Sequence, residues 1–115
     1  MDLTEQTKQL ESHLDHLKTI YEEQTLPKNR RDYQFFSNVR QQTEPIFQLL
    51  ELWEETALQT IKTERINVHP QQIISTKENM QLLLMHSFYK DVRRKRYMEL
   101  NHSVQFIFDQ LLRNI

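Results

Sequence analysis

The chain contains no glycine in 115 residues. Glycine is the default residue wherever the backbone must pass through positive φ, so its absence removes the tight turns on which hairpins and bulges depend. β-rich architectures are disfavoured, and helices joined by short connections remain. The same absence removes the P-loop, the dinucleotide fingerprint and the nucleophile elbow, which all need glycine at fixed positions. Cysteine is also missing. Disulfides, thiolate metal sites, iron–sulfur clusters and cysteine nucleophiles are thereby excluded, which suits a cytoplasmic protein. A chain of this length can bury a core without such staples, as one domain over residues 1–115. It has no run of about 18 apolar residues, so no membrane span is expected. Met1-Asp2-Leu3-Thr4-Glu5 does not read as a signal peptide.

Apolar residues recur with helical spacing through most of the sequence. Leu3, Leu10, Leu14, Leu17 and Tyr21, with Thr7 in the gap, predict a helix over about residues 2–24. Leu26-Pro27-Lys28-Asn29 should end it, because proline cannot continue a helix. Asp32 is placed to cap a short segment holding Tyr33, Phe35, Phe36 and Val39. Thr43-Glu44-Pro45 then resembles a fresh start, with Thr43 as cap and the stripe Ile46, Leu49, Leu50, Trp53, Ala57 and Ile61 behind it. A single helix over residues 33–66 would span about 51 Å, whereas 45–66 alone would span about 33 Å and match the first helix. A break or sharp kink near Thr43 is therefore expected, with the aromatic piece packed across the end of the bundle. After Asn67-Val68-His69-Pro70 a third helix over about 70–89 carries Ile73, Ile74, Met80, Leu83, Leu84 and Phe88. The fourth carries Tyr97, Leu100, Val104, Ile107, Phe108, Leu111 and Ile115, and its start is poorly marked. The predicted fold is all-α: a four-helix up-and-down bundle with a short extra helical segment or kink before the second long helix. A three-helix arrangement with one long bent helix is the alternative.

Few residues suggest chemistry. Glu99-x-x-His102 has the spacing of a di-iron ligand pair, but such bundles need two of these motifs and two further Glu. With Leu100, Val104, Ile107 and Leu111 facing the core, Glu99 and His102 point outward. His13 and His16 could share a divalent ion, yet no third ligand is indicated. His69 reads as a residue at a helix entrance. Ser12-His13 and His102-Ser103 are sequence neighbours that do not face each other on a helix, and nothing supplies an oxyanion site. No catalytic, cofactor or metal residues are assigned. The aromatic residues, Tyr33, Phe35 and Phe36 among them, are expected mainly in the core. Leu52, Leu82, Met85 and Phe106 fall off the main stripes and either widen the core or form a patch for a partner. Lys77 should bury its stem and pair or snorkel its ammonium.

Charge is distributed less evenly than the net −1 suggests. Residues 28–32 and 90–96 hold eight of the 15 basic residues, Lys28, Arg30, Arg31, Lys90, Arg93, Arg94, Lys95 and Arg96, against Asp32 and Asp91. In an up-and-down bundle those two connections share one end. Such a cluster is a candidate anion site for nucleic acid, a phosphorylated ligand or an acidic protein. The near-neutral whole chain argues against duplex nucleic acid.

Several elements in order, Tyr33-x-Phe35-Phe36, Trp53 with Ala57-Leu58 and Ile61-Lys62, and Val68-His69-x-x-Gln72-Ile73, followed by Lys77-x-Asn79, Ser87-Phe88, Lys95-Arg96-Tyr97 and Ser103-Val104, resemble the YppE-like family of small helical proteins from Gram-positive bacteria. The resemblance runs from about Tyr33 to the C-terminus, and the first helix matches in character alone. It implies a four-helix up-and-down bundle and no activity, catalytic residue or cofactor. Gln41 and Pro45 depart from the pattern at the end of the aromatic segment. The expectation is thus a non-enzymatic cytoplasmic bundle acting through protein–protein contacts with an unknown protein partner, as a monomer or weak homodimer. An anion-binding module using the basic end is the alternative, and a metal-dependent enzyme on a bundle scaffold the distant one.

Overall fold

The computed structural model describes residues 1–23, Leu26 and residues 32–115. They form α1 (Leu3–Glu23), α2 (Tyr33–Glu64), α3 (Pro70–Tyr89) and α4 (Arg94–Asn114), with no strand among the described residues. The helices alternate in direction. Trp53, late in α2, meets Thr7 at the start of α1. Phe35 at the start of α2 meets Tyr89 at the end of α3, and Tyr21 at the end of α1 stacks on Tyr97 at the start of α4. This is the up-and-down bundle that the apolar periodicity predicts, drawn out to 50 × 27 × 19 Å.

Each helix contributes one stripe to a single core that includes Leu10, Leu14, Leu50, Trp53, Leu83, Leu84, Tyr97 and Phe108. α1 also approaches α3 across the bundle, whereas the backbones of α2 and α4 stay apart. Trp53 and Phe108 fill that longer diagonal, edge to face with ring centroids 5.5 Å apart.

The break expected at Thr43 is absent, and no short segment stands apart before the second long helix. α2 runs unbroken for 32 residues with Pro45 inside it. Thr43 is no cap: it is buried, and its hydroxyl donates to the Arg40 carbonyl at 3.5 Å. The reason is packing. Val39, Thr43, Ile46, Leu50, Trp53 and Ala57 are all buried at alternating intervals of four and three, so one face continues through the proline. An interior proline costs about 3 kcal/mol, and full burial of each large apolar side chain returns roughly 1.5–3 kcal/mol. The carbonyl that loses its partner is that of exposed Gln41, where water can serve.

At about 48 Å, α2 is half as long again as its neighbours. Its first turns are not core, contrary to expectation: Tyr33 is 81% exposed and Phe36 38%. Phe35 and Phe36 lie against Tyr89 with centroids 5.9 and 6.1 Å away.

Helix ends show how the chain manages without glycine. Asp32 caps α2, its side chain accepting from the Phe35 amide at 3.0 Å. His69 caps α3 in a reciprocal box: its Nδ1 accepts from Gln71 N–H at 3.0 Å, and Gln72 Oε1 accepts from His69 N–H at 2.9 Å. At the other ends, Arg65 (φ 52°) and Lys90 (φ 50°) take the left-handed conformation, which costs a residue with a Cβ roughly 1–2 kcal/mol. α4 opens on Arg93 with no side-chain cap.

Candidate functional site

Of the eight candidate anion-binding residues, Lys28, Arg30 and Arg31 lie outside the described residues. Lys90 is the half-buried C-cap of α3, and Arg93, Arg94, Lys95 and Arg96 are exposed around the first turn of α4. The Tyr21 hydroxyl donates to the Val92 carbonyl at 2.7 Å and so ties the α3–α4 connection to the end of α1. That contact brings Glu22 from α1 beside the connection, which has Asp91 and, in α4, Glu99 close by in sequence. Arg94 pairs with Glu22 at 3.0 Å, Arg96 lies 3.6 Å from Glu99, and Asp91 meets His86 at 2.7 Å. Among the described residues the end is therefore mixed in charge. Lys90, Arg93 and Lys95 make no ion pair there.

The histidines are dispersed. His13 is half-buried beside exposed His16, in a hollow shared with Leu17, Gln42 and Phe88. Burial, and then the neighbouring His16, hold the His13 imidazole below its ordinary proton affinity. Glu99 and His102 are both exposed on α4. His69 spends its Nδ1 lone pair on the Gln71 amide, so the neutral ring carries its proton on Nε2 and offers no second lone pair to a metal. No three His, Asp or Glu side chains among the described residues cluster as metal ligands do. Lys77 behaves as its position suggests, with a mostly buried side chain whose ammonium bridges Glu51 at 2.9 Å and Glu54 at 3.2 Å. Those two carboxylates raise its pKa. The cluster clamps α2 to α3.

A groove of about 580 Å³ lies between α3 and α4. His69, Gln71, Gln72, Ser75, Thr76 and Asn79 form one wall, and His102, Ser103, Phe106 and Ile107 the other. None of these is Lys, Arg, Asp or Glu, in a chain that is 27% charged. Phe106 stands at the lip, 60% exposed. The off-stripe residues divide here. Leu82 and Met85 line a separate hollow with Phe47 on the α2–α3 side, so they form no common patch with Phe106. Leu52 is exposed on α2 at 47%. Periodicity alone does show Phe106 leaving the core stripe. It does not show the uncharged wall opposite, because that wall is assembled from a different helix.

The arrangement can supply hydroxyl, amide and imidazole hydrogen bonds around an aromatic ring.

The sequence profile of a bacterial domain of unknown function, DUF1798, matches residues 7–115. The uncharacterized protein YppE of Bacillus subtilis (strain 168) is 30% identical over 79 residues, which span 68% of this chain and 64% of that protein. The fold agrees with the crystal structure of YppE at a TM-score of 0.86 and 27% identity, covering 98% of this chain and 91% of that one. The solution NMR structure of YppE gives 0.81 at 26% identity, with 96% and 89% covered. No helix of the described residues is long and apolar enough to cross a membrane. The chain belongs to the bacterial DUF1798 family, whose function is unknown.

Proposed function

We propose that this chain is a non-enzymatic, cytoplasmic helical bundle that acts through protein–protein contacts, with the α3–α4 groove and Phe106 as its contact face. The observation that carries this is the uncharged lining around an aromatic ring that is 60% exposed. Depletion of charge and enrichment in aromatics mark the centres of protein interfaces, where desolvating a charge costs most. Affinity capture from the source cell tests it. A partner retained by the wild type and by Leu52→Glu, but lost by Phe106→Glu, supports the reading. A partner indifferent to Phe106→Glu removes the groove from it.

The anion-binding alternative has one observation of its own. α4 begins Arg93-Arg94-Lys95-Arg96 with no acid in its first turn, and cations there oppose the helix dipole by roughly 0.3–1 kcal/mol each. Helix stability does not explain their placement. Heparin titrated at low ionic strength tests this reading: binding that weakens with salt supports it, and absence of binding ends it.

A further inference from the structure

We infer that the occupant of this contact face is a second copy of the same chain, docked by antiparallel pairing of the two α4 helices about a two-fold axis at Phe106. The inference rests on the α3–α4 face being the contact surface, and it is an argument from register.

Glu99, Phe106 and Arg113 recur every seven residues along α4, so they share one stripe about two turns apart. All three are exposed, and the stripe runs beside the uncharged groove. A two-fold axis through Phe106 reverses one helix against the other. Phe106 then meets its own copy, Glu99 meets the second copy's Arg113, and Arg113 meets the second copy's Glu99. Nearer the axis, Ser103 opposes Asp109 and His102 opposes Gln110, pairs that hydrogen-bond without repulsion. Every opposed pair is complementary or neutral.

The parallel alternative sets Glu99 on Glu99, Asp109 on Asp109 and Arg113 on Arg113, each repulsive. Electrostatics therefore selects the antiparallel register. Little competes for the charges. Arg113 has no ion-pair partner among the described residues. Glu99 has only Arg96 at 3.6 Å, an exposed pair of small worth. The uncharged wall of α3 lets the second copy's α4 approach without burying an unpaired charge. A seam from Glu99 to Arg113 is about 21 Å long. It falls at the small end of specific interfaces, so the dimer is weak, with Kd on the order of 100 µM.

Sedimentation equilibrium of the full chain from about 10 µM to 1 mM tests this on a range set by that affinity. The weight-average mass should climb from 14.2 kDa towards twice that value. Glu99→Arg and Arg113→Glu, both at exposed positions, should each associate at least tenfold more weakly while keeping native helical circular dichroism. Mixed in equal amounts they should recover the wild-type affinity, because the heterodimer opposes Arg to Glu at both ends. Phe106→Ala should weaken the dimer about tenfold, the loss expected for a central aromatic anchor. A wild type that stays monomeric at the highest concentration overturns the inference, and so does a charge-reversed mixture no more associated than its components. If the wild type is monomeric while Phe106→Glu still loses a captured partner, the second copy is refuted and the contact face stands.

Discussion

Trp53 is the only indole in the chain and is fully buried, so its N–H must find an acceptor inside the bundle. It donates to the Thr7 hydroxyl at 3.0 Å, and that hydroxyl donates in turn to the Leu3 carbonyl at 2.7 Å. Thr7→Val keeps the shape and removes the acceptor. It should cost roughly 1–3 kcal/mol, the penalty of an unsatisfied buried donor, read from the urea midpoint. Adding Trp53→Phe to that variant should cost less than Trp53→Phe alone, since the orphaned donor goes with the ring. Tyr97 is equally buried and exchanges a 2.6 Å hydrogen bond with Ser87. Burial pushes its phenol up to about 12 from 10.0, against the lowering pull of Ser87. The unfolded chain therefore releases this proton first as pH rises. The stabilising contribution is complete below pH 10 and is lost as pH climbs towards 12. Tyr97→Phe should flatten the alkaline limb of stability against pH, measured by denaturant unfolding across that window.

At the scale of elements, the departures from expectation concern helix ends and one helix interior. Pro45 sits in α2 because the buried face on either side holds the register. It still lacks its N–H and crowds the preceding turn. Pro45→Ala should stabilise the fold by about 1–2 kcal/mol, the helical penalty less the gain in unfolded-state entropy. A loss of stability would mean that the proline is shaped into the packing. The caps point the same way. Lys90→Gly relieves a left-handed residue and should be worth up to about 1 kcal/mol, measured by thermal unfolding, because the freer unfolded chain cancels part of the relief. What was legible in the sequence follows from this. The buried stripes, the entrance at His69-Pro70, the cap at Asp32 and the pairing of Lys77 all follow from local spacing and residue type. The continuity of α2 does not. Thr43-Glu44-Pro45 is a plausible start on local rules, and only the packing of Val39, Thr43 and Ile46 on other helices decides against it. Tyr33 and Phe36 mislead for the reverse reason: they are aromatic, but α2 outreaches its neighbours there. The contact face is partly legible, in Phe106 alone, because the other wall of the groove belongs to α3.

The whole molecule adds a constraint that no single helix carries. The basic excess of the connections is offset, at the described part of that end, by Glu99 one turn along α4 from Arg96 and by Glu22, which only the folded bundle brings from the end of α1 to Arg94. The cross-section has a similar origin. α1 approaches α3, which holds α2 and α4 apart, and Trp53 against Phe108 occupies the space between them. A void made there cannot close by moving α4 towards α2 without driving α1 into α3. Phe108 is fully buried, so Phe108→Ala should approach the full transfer and cavity penalty of about 3–5 kcal/mol. A domain of this size has a total stability of about 5–15 kcal/mol, so a large share of it would go. Phe108→Leu retains most of the volume and should cost markedly less. Thermal unfolding of the three proteins distinguishes a rigid long diagonal from one able to collapse. A fall of more than about 10 °C for Phe108→Ala fits the rigid case, by the usual few degrees per kcal/mol for small domains. A fall no larger than that of Phe108→Leu would show that α1 and α3 can slide past each other, and that the diagonal is set by the rings rather than by the helices around them.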